Sequence, residues 1–282
     1  MLNEGVTGDW AGSAALLSTT RRTAGPSRHR VLDGYVDAFE VDQFIDMLSG
    51  AARRGERALV GNHNMHSLAL QRSDARFAML YEQLDYIFID GTPVVWLSRL
   101  RGPGVRLEHR LAVLDWIWPL FAYAEAHGLS IVHVGGAEPM LGRVRDAALS
   151  RHPGLRLTLV DGFFDTEDPV QNQAVVDAIS AAKPDVLLVG MGMPRQERWL
   201  LANVESMPRC PIVTVGGVLS FIGDDRPTPP RWLGPLGVEW IYRLVTEPTR
   251  LWRRYLVEPL PLVPVVALEV LGAVRRSRRR AT

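Results

Sequence analysis

Asp90 closes a β-branched run in "FIDGTPVVW", with Gly91 directly behind it. A carboxylate held at a strand end can take the proton from a hydroxyl as that oxygen attacks an electrophile. The same placement also suits a helix cap, because aspartate often precedes a helix. A second cluster sits in "GMGMPRQERWL", where Pro194 can open a helix and put Gln196 and Glu197 in its first turn. Glutamine, donor and acceptor at once, can read sugar hydroxyls or an amide. A first-turn glutamate is favoured by the helix dipole in any case. A third cluster, "GNHNMH", offers Asn62 and Asn64 as hydrogen-bonding groups for a polar ligand. His63 and His66 stand three apart with no carboxylate or cysteine beside them, so no metal site is expected there.

The fourth cluster is cationic. "RLVTEPTRLWRRY", Arg243 to Tyr255, holds four arginines and one acid, Glu247. A helix opening at Pro248 carries Arg250, Arg253 and Arg254 on one face. Arg243 joins that face if the two segments are collinear. This is either a solvated basic face or a site for a phosphate-rich partner, which guanidinium binds bidentately.

Such residues need a frame. Six short apolar runs end in glycine or aspartate: "RALVG", "DYIFID", "SIVHVGG", "LRLTLVDG", "DVLLVG" and "PIVTVGG". Runs without polar alternation suit strands buried on both faces. Between them "EPMLGRVRDAALSRH" and "PVQNQAVVDAISAAK" have helical periodicity. The alternation predicts an α/β fold, a Rossmann-like, mainly parallel sheet flanked by helices. Upstream, "VLDGYVDAFEVDQFIDMLSGAARRG" predicts a strand or small hairpin and then a helix. In a parallel sheet the residues after each run share one rim, where ligands bind. Asn62, Asn64, Asp90, Gly91, Gly135, Gly136, Gly162, Phe163, Gln196, Glu197 and Ser220 all fall on it. The glycine pair at 135 and 136 could admit a diphosphate to a helix N-terminus, or could simply make a tight turn. No GxGxxG fingerprint is present.

The chain of 282 residues carries a net charge of +1, which hides an asymmetry. From Arg243 onward nine arginines oppose three glutamates, a net of +6, so the rest sums to −5. A basic tail on an acidic body points to a local anionic partner, a membrane surface or nucleic acid. The one cysteine, Cys210, reads as a core residue, and with no second cysteine a reducing compartment is expected. Residues 1–30 read as a disordered extension, 31–240 as the core, and 241–282 as an arginine-rich appendage. "LVEPLPLVPVVALEVLGAV" is apolar, but Pro259, Pro261 and Pro264 should break a continuous helix, and no membrane-spanning helix is expected. Ending in "RRSRRR", the segment suits a protein lying on an anionic bilayer, or a core-packing segment with a loose basic end. Away from a membrane, the apolar tail offers a surface for homo-oligomers.

Two long stretches, "KPDVLLVGMGMPRQERWL" and "GVEWIYRLVTEPTRLWRRYL", together with "DGTPVVW" and "EHRLAVLDWIWPL", resemble the WecG/TagA/CpsF family of bacterial glycosyltransferases (glycosyltransferase family 26). The likeness covers roughly Val31 to Tyr255. It implies inverting transfer of a hexose or N-acetylhexosamine-type sugar from a UDP-sugar donor to a polyprenyl-diphosphate-linked acceptor. No metal or other cofactor is implied, nor a nucleic-acid partner. The expected location is cytoplasmic, peripheral on the inner face of the cell membrane, in cell-surface polysaccharide synthesis. Residue by residue, the resemblance makes Asp90 the base and sets Gln196 near the donor sugar. It places Asn62 and Asn64 in a substrate segment and assigns substrate contacts to Arg110, Arg243, Arg250 and Arg253. Phe163 takes the place of a stacking tyrosine, and Ser220 that of an aspartate at the base pocket. Thr228, Pro229 and Pro230 replace a segment that carries an arginine.

Two other readings follow from the residues alone. A non-catalytic membrane- or nucleic-acid-binding module on the same fold would leave Asp90 and Gln196 idle. A nicotinamide-dependent oxidoreductase would need the missing fingerprint.

Overall fold

The structure, a computed structural model, describes residues 25–223, 229–230 and 232–280. All six apolar runs are strands: β3 (Ala58–His63), β4 (Tyr86–Ile89), β5 (Ser130–Val134), β6 (Arg156–Val160), β7 (Val186–Val189) and β8 (Pro211–Thr214). They form one sheet in the order β4-β3-β8-β7-β5-β6, every pair parallel. The Rossmann-like α/β expectation therefore holds. Along β7, Val186 and Leu188 enter one core while Leu187 and Val189 enter the other, which is why its sequence is apolar without alternation.

A hairpin precedes the sheet, β1 (Ser27–Val31) and β2 (Gly34–Ala38), antiparallel. It begins inside the segment expected to be disordered. Buried Asp37 explains why: it accepts from Arg28 Nε at 2.8 Å and from the Ile87 amide at 2.8 Å, fastening the hairpin to β4. The first 24 residues of that expected extension lie outside the described ones.

The helices fill both faces: α1 (Val41–Arg54), α2 (Met65–Ser73), α3 (Ala75–Gln83), α4 (Thr92–Arg99), α5 (Val113–His127), α6 (Met140–Arg151), α7 (Pro169–Ala182) and α8 (Arg195–Asn203). On one face Phe44 of α1 packs edge-on against Phe88 and Trp116. On the other, Phe77 and Tyr81 of α3 stack at 4.3 Å. Cys210 is buried among the residues of this second core, its thiol pushed up to about 12 by burial.

The chain then passes through three short helices, α9 (Leu219–Ile222), α10 (Leu233–Leu236) and α11 (Glu239–Thr246), the last of which straddles the expected boundary at residue 241. The appendage continues as α12 (Pro248–Trp252), a π-turn (Arg253–Val257), a 3-10 turn (Leu260–Leu262) and α13 (Val263–Arg280). The prolines do interrupt the α-helix, as expected: residues 258–259 form a turn and a 3-10 turn follows before α13 begins at Val263. Pro248, Pro261 and Pro264 fall in first turns, where a missing N–H costs nothing. Residues Arg253–Arg276 still wind helically over 24 residues, and their most apolar 18-residue stretch has a mean hydropathy of 1.8, enough by length and composition alone to cross a membrane. The expectation that no segment reaches spanning length and apolarity is corrected to that extent.

The run is not detached from the body. Leu262 is buried in a third core with Val31, Val36, Leu68, Ile89 and Val94, and Val265 and Val266 pack against it. Glu269 pairs with Arg101, and Arg276 donates to the Leu100 carbonyl at 2.9 Å. The opposite face of α13 exposes Leu268, Leu271 and Val274.

Candidate active site

Two cavities meet over the carboxyl ends of the strands. The larger, about 750 Å³, takes wall residues from the ends of β3, β4, β5, β6, β7 and β8, among them Gly136, Gly162 and Gly216. The smaller, about 350 Å³, lies between α4 and the appendage, with Gly91, Arg110, Trp240 and Pro259 in its wall. Five residues line both: Asn64, Asp90, Arg243, Arg254 and Tyr255.

Asp90 is no helix cap. The cap of α4 is Gly91, whose φ of 118° excludes most side chains, and no side chain caps that helix. The carboxylate is instead held by Asn64, whose Nδ2 donates to Asp90 Oδ2 at 3.2 Å. The orientation of that amide follows from its other duty, since Asn64 Oδ1 caps α2 by accepting from the Ser67 amide at 3.0 Å. Burial pushes the Asp90 carboxyl above its ordinary 3.8, while Arg243, Asn64 and Arg110 pull it back. The group is thus a stronger base than an exposed carboxylate yet remains ionisable.

The sequence-predicted residues divide. Asn62, Asn64, Asp90, Gly136, Gly162, Phe163, Ser220 and Arg243 line the larger cavity, and Gly91 and Arg110 the smaller. Phe163 is 77% exposed at the mouth of the larger cavity, an open ring face for stacking. Asn62 donates to the Thr214 carbonyl at 3.1 Å, so one end of its amide ties β3 to β8. Gly135 lies beneath the wall. A Cβ there would strike the Gly190 carbonyl, and one on Gly162 would strike Gly135, so this glycine pair serves close backbone packing.

Gln196 and Glu197 are buried and line neither cavity. Gln196 Oε1 accepts from the Gly192 amide at 3.1 Å and from the Gly216 amide at 3.2 Å, and its Nε2 donates to Glu197 Oε1 at 2.7 Å. One side chain thereby fixes the loops that follow β7 and β8, a positioning duty where sugar reading was expected. Burial pushes Glu197 up to about 7. Its folded value lies above the unfolded one. The group therefore contributes stability that is complete below its ordinary 4.5 and is lost as pH rises through about 7. Glu197→Gln should flatten that decline, as Tm measured from pH 4 to pH 8 would show.

In the appendage, Arg243 and Arg254 face both cavities. Arg253, expected to contact substrate, is exposed and lines neither; the side chain of Arg250 lies outside the described ones. Arg253 and Arg254 are neighbours, about 100° apart around a helical axis, so the wall that takes Arg254 leaves Arg253 turned aside. Leu251, also buried, contributes to the wall of the larger cavity, so the appendage closes one side of it.

Several site residues carried no sequence signal. Arg195 donates to the carbonyls of Gly162 and Phe164 and so holds the loop that presents Phe163. Glu239 bridges Arg110 and Arg243. His63 and His66 point apart. The first is buried against Ser67 at 3.0 Å and held down to about 3 by burial; the second lies in the smaller cavity beside Glu258. Among the described residues no three His, Cys, Asp or Glu side chains are grouped to hold a metal ion.

Fold and cleft define a Rossmann-like α/β protein whose site sits at the strand carboxyl ends, between the core and an arginine-bearing appendage. A sequence model of the glycosyl transferase WecG/TagA/CpsF family matches residues 29–276. The chain belongs to that family and is a glycosyltransferase. It is similar to the N-acetylglucosaminyldiphosphoundecaprenol N-acetyl-beta-D-mannosaminyltransferase of Staphylococcus aureus strain NCTC 8325, 28% identical over 201 residues, which are 71% of this chain and 74% of the relative. Proteins of the same description from strains COL and MRSA252 match over the same shares at the same identity.

Proposed function

We propose that the cleft moves a hexose or N-acetylhexosamine-type sugar from a UDP-sugar to a saccharide carried on a polyprenyl diphosphate, with inversion and without a metal ion. One observation carries this reading: half-buried, ionisable Asp90 stands in the wall common to two cavities, with arginines on the same wall. The larger cavity would hold the donor, its uracil against Phe163. The smaller would bring the acceptor hydroxyl to Asp90 from the other side.

The step balances simply. Asp90 takes the hydroxyl proton, the acceptor oxygen bonds to the anomeric carbon, and the bond from that carbon to the diphosphate breaks. The departing charge would fall to Arg243 and Arg254, fixed cations doing what a bound metal does elsewhere. Opposed approach of donor and acceptor gives a single displacement, hence inversion.

The relatives' described acceptor, a diphosphoundecaprenol, supports a lipid-borne substrate and a role in cell-envelope polysaccharide synthesis. We also take α13 to lie on the inner face of the cell membrane. Its buried-side ties through Glu269 and Arg276 argue against a spanning pose, which would carry that ion pair into hydrocarbon. The outward side would meet the acyl boundary, with the terminal arginines on anionic headgroups.

The test is UDP release from a panel of UDP-sugars, N-acetylmannosamine first, with a short-chain polyprenyl-diphosphate N-acetylglucosamine as acceptor and EDTA present. Turnover with one donor is expected. Activity that appears only when a divalent metal is restored would overturn the metal-free part. A panel without any release would favour a binding module.

A further inference from the structure

Glu239 places one carboxylate between two arginines from distant parts of the chain. Its Oε1 accepts from Arg243 Nη2 at 2.7 Å, one turn along α11. Its Oε2 accepts from Arg110 Nη1 at 3.3 Å, a contact that links the segment before α5 to the appendage. All three side chains line the smaller cavity together with Asp90. None is fully exposed: the side chains of Arg110, Glu239 and Arg243 are 10%, 21% and 28% accessible.

Two guanidinium groups directed at one cavity repel each other, and the repulsion is stronger where water is partly excluded. Each also has another attachment. Arg110 meets Asp115 of α5 at 3.3 Å, and Arg243 lies over the Phe221 ring at 4.9 Å. Without a shared carboxylate, Arg110 would settle toward α5 and Arg243 toward Phe221, away from each other and from Asp90. The tie therefore sets where positive charge stands in the cleft.

We infer that Glu239 is a positioning residue for the transfer proposed above, holding the body's Arg110 and the appendage's Arg243 in register beside Asp90. The inference rests on that reading of the cleft. It also gives Glu239 a second, measurable influence. Burial is what mainly raises the Asp90 carboxyl; Glu239 adds to the rise, and Arg243, Asn64 and Arg110 oppose it. The buried phenol of Tyr81 also feels the Asp90 charge.

The experiment uses the full chain, the donor identified from the UDP-sugar panel, and the short-chain polyprenyl-diphosphate acceptor. Wild-type turnover and its loss in Asp90→Asn are measured first; if those fail, the transfer reading falls, whatever Glu239 does. With them in place, Glu239→Gln keeps the shape and removes the shared charge. Its kcat should fall about tenfold or more with the donor KM little changed. The acid limb of its kcat/KM profile should move to higher pH, because the arginines that drift off with the tie, Arg243 above all, hold the Asp90 carboxyl down more than Glu239 pushes it up. Glu239→Asp keeps the charge but is a methylene short of spanning both arginines, so kcat should fall while the limb stays near the wild-type position. Adding Arg110→Lys to Glu239→Gln should cost far less than the product of the single effects.

Wild-type kcat and profile in Glu239→Gln would overturn the inference. So would a lower kcat with an unmoved limb and fully multiplicative double-variant losses, the pattern of a residue that only supports the fold. If Glu239→Gln unfolds at assay temperature, Glu239→Asp decides: wild-type kcat there means that no two-armed bridge is required.

Discussion

Asp90→Asn is expected to lower kcat by roughly 10²–10⁴-fold, the range that a positioned general base contributes. Asparagine keeps the shape and can still meet the Asn64 amide, but it cannot accept the acceptor's proton. Donor binding, monitored by UDP titration, should stay close to that of the parent chain. The wild-type kcat/KM profile should show an acid limb above the ordinary carboxylate value of 3.8, since burial raises the Asp90 carboxyl and the group must be ionised to act. That limb should vanish in the variant. Turnover within threefold of wild type in Asp90→Asn would remove the residue from the chemistry and return the cleft to the status of a binding site.

The second large effect belongs to the appendage. Arg243→Ala should lower kcat by roughly 10²–10³-fold, the loss seen when one fixed donor to developing negative charge is removed. Exposed Arg253 lines neither cavity, and its alanine variant should turn over much like the parent. The pair of variants separates a catalytic cation from a generally basic surface, because both lose the same charge from the same segment. Equal losses in the two, abolished at high salt, would mean that the arginines act only by long-range attraction. Deleting the appendage is a blunter test, since Leu251 and Leu262 are buried and their loss would open the larger cavity and the third core.

How much of this could be read in the chain itself differs from element to element. Most of the strands were legible because burial on both faces leaves an unbroken apolar run, a pattern that few other environments produce; β6, at the sheet edge with no residue fully buried, was legible from its place in the strand–helix alternation. Their order was not, because parallel strands separated by whole helices leave no local trace of their neighbours. Asp90 was legible as a strand-end carboxylate, whereas its release from helix capping depended on Gly91 taking that place. Gln196 was legible as a strand-end residue, but its partners, the backbone amides of Gly192 and Gly216, are ones that no side-chain pattern announces. The choice of Arg254 over Arg253 turned on which of two neighbouring residues faces the body, a matter of packing that a helical-face argument leaves open. Glu239 and Arg195 went unnoticed for a related reason, since each acts on groups more than 30 residues away along at least one contact.

The attachment of α13 to the body has a kinetic consequence. Leu262, Glu269 and Arg276 fasten one side of the helix, and Pro259 at its root belongs to the wall of the smaller cavity. A bilayer that receives the outward side would therefore hold that cavity at one height and one tilt. An acceptor tethered in the same leaflet would then arrive by lateral diffusion in a plane. The governing quantity would be molecules per unit area of membrane, so diluting the acceptor with inert lipid at constant bulk concentration should slow the enzyme.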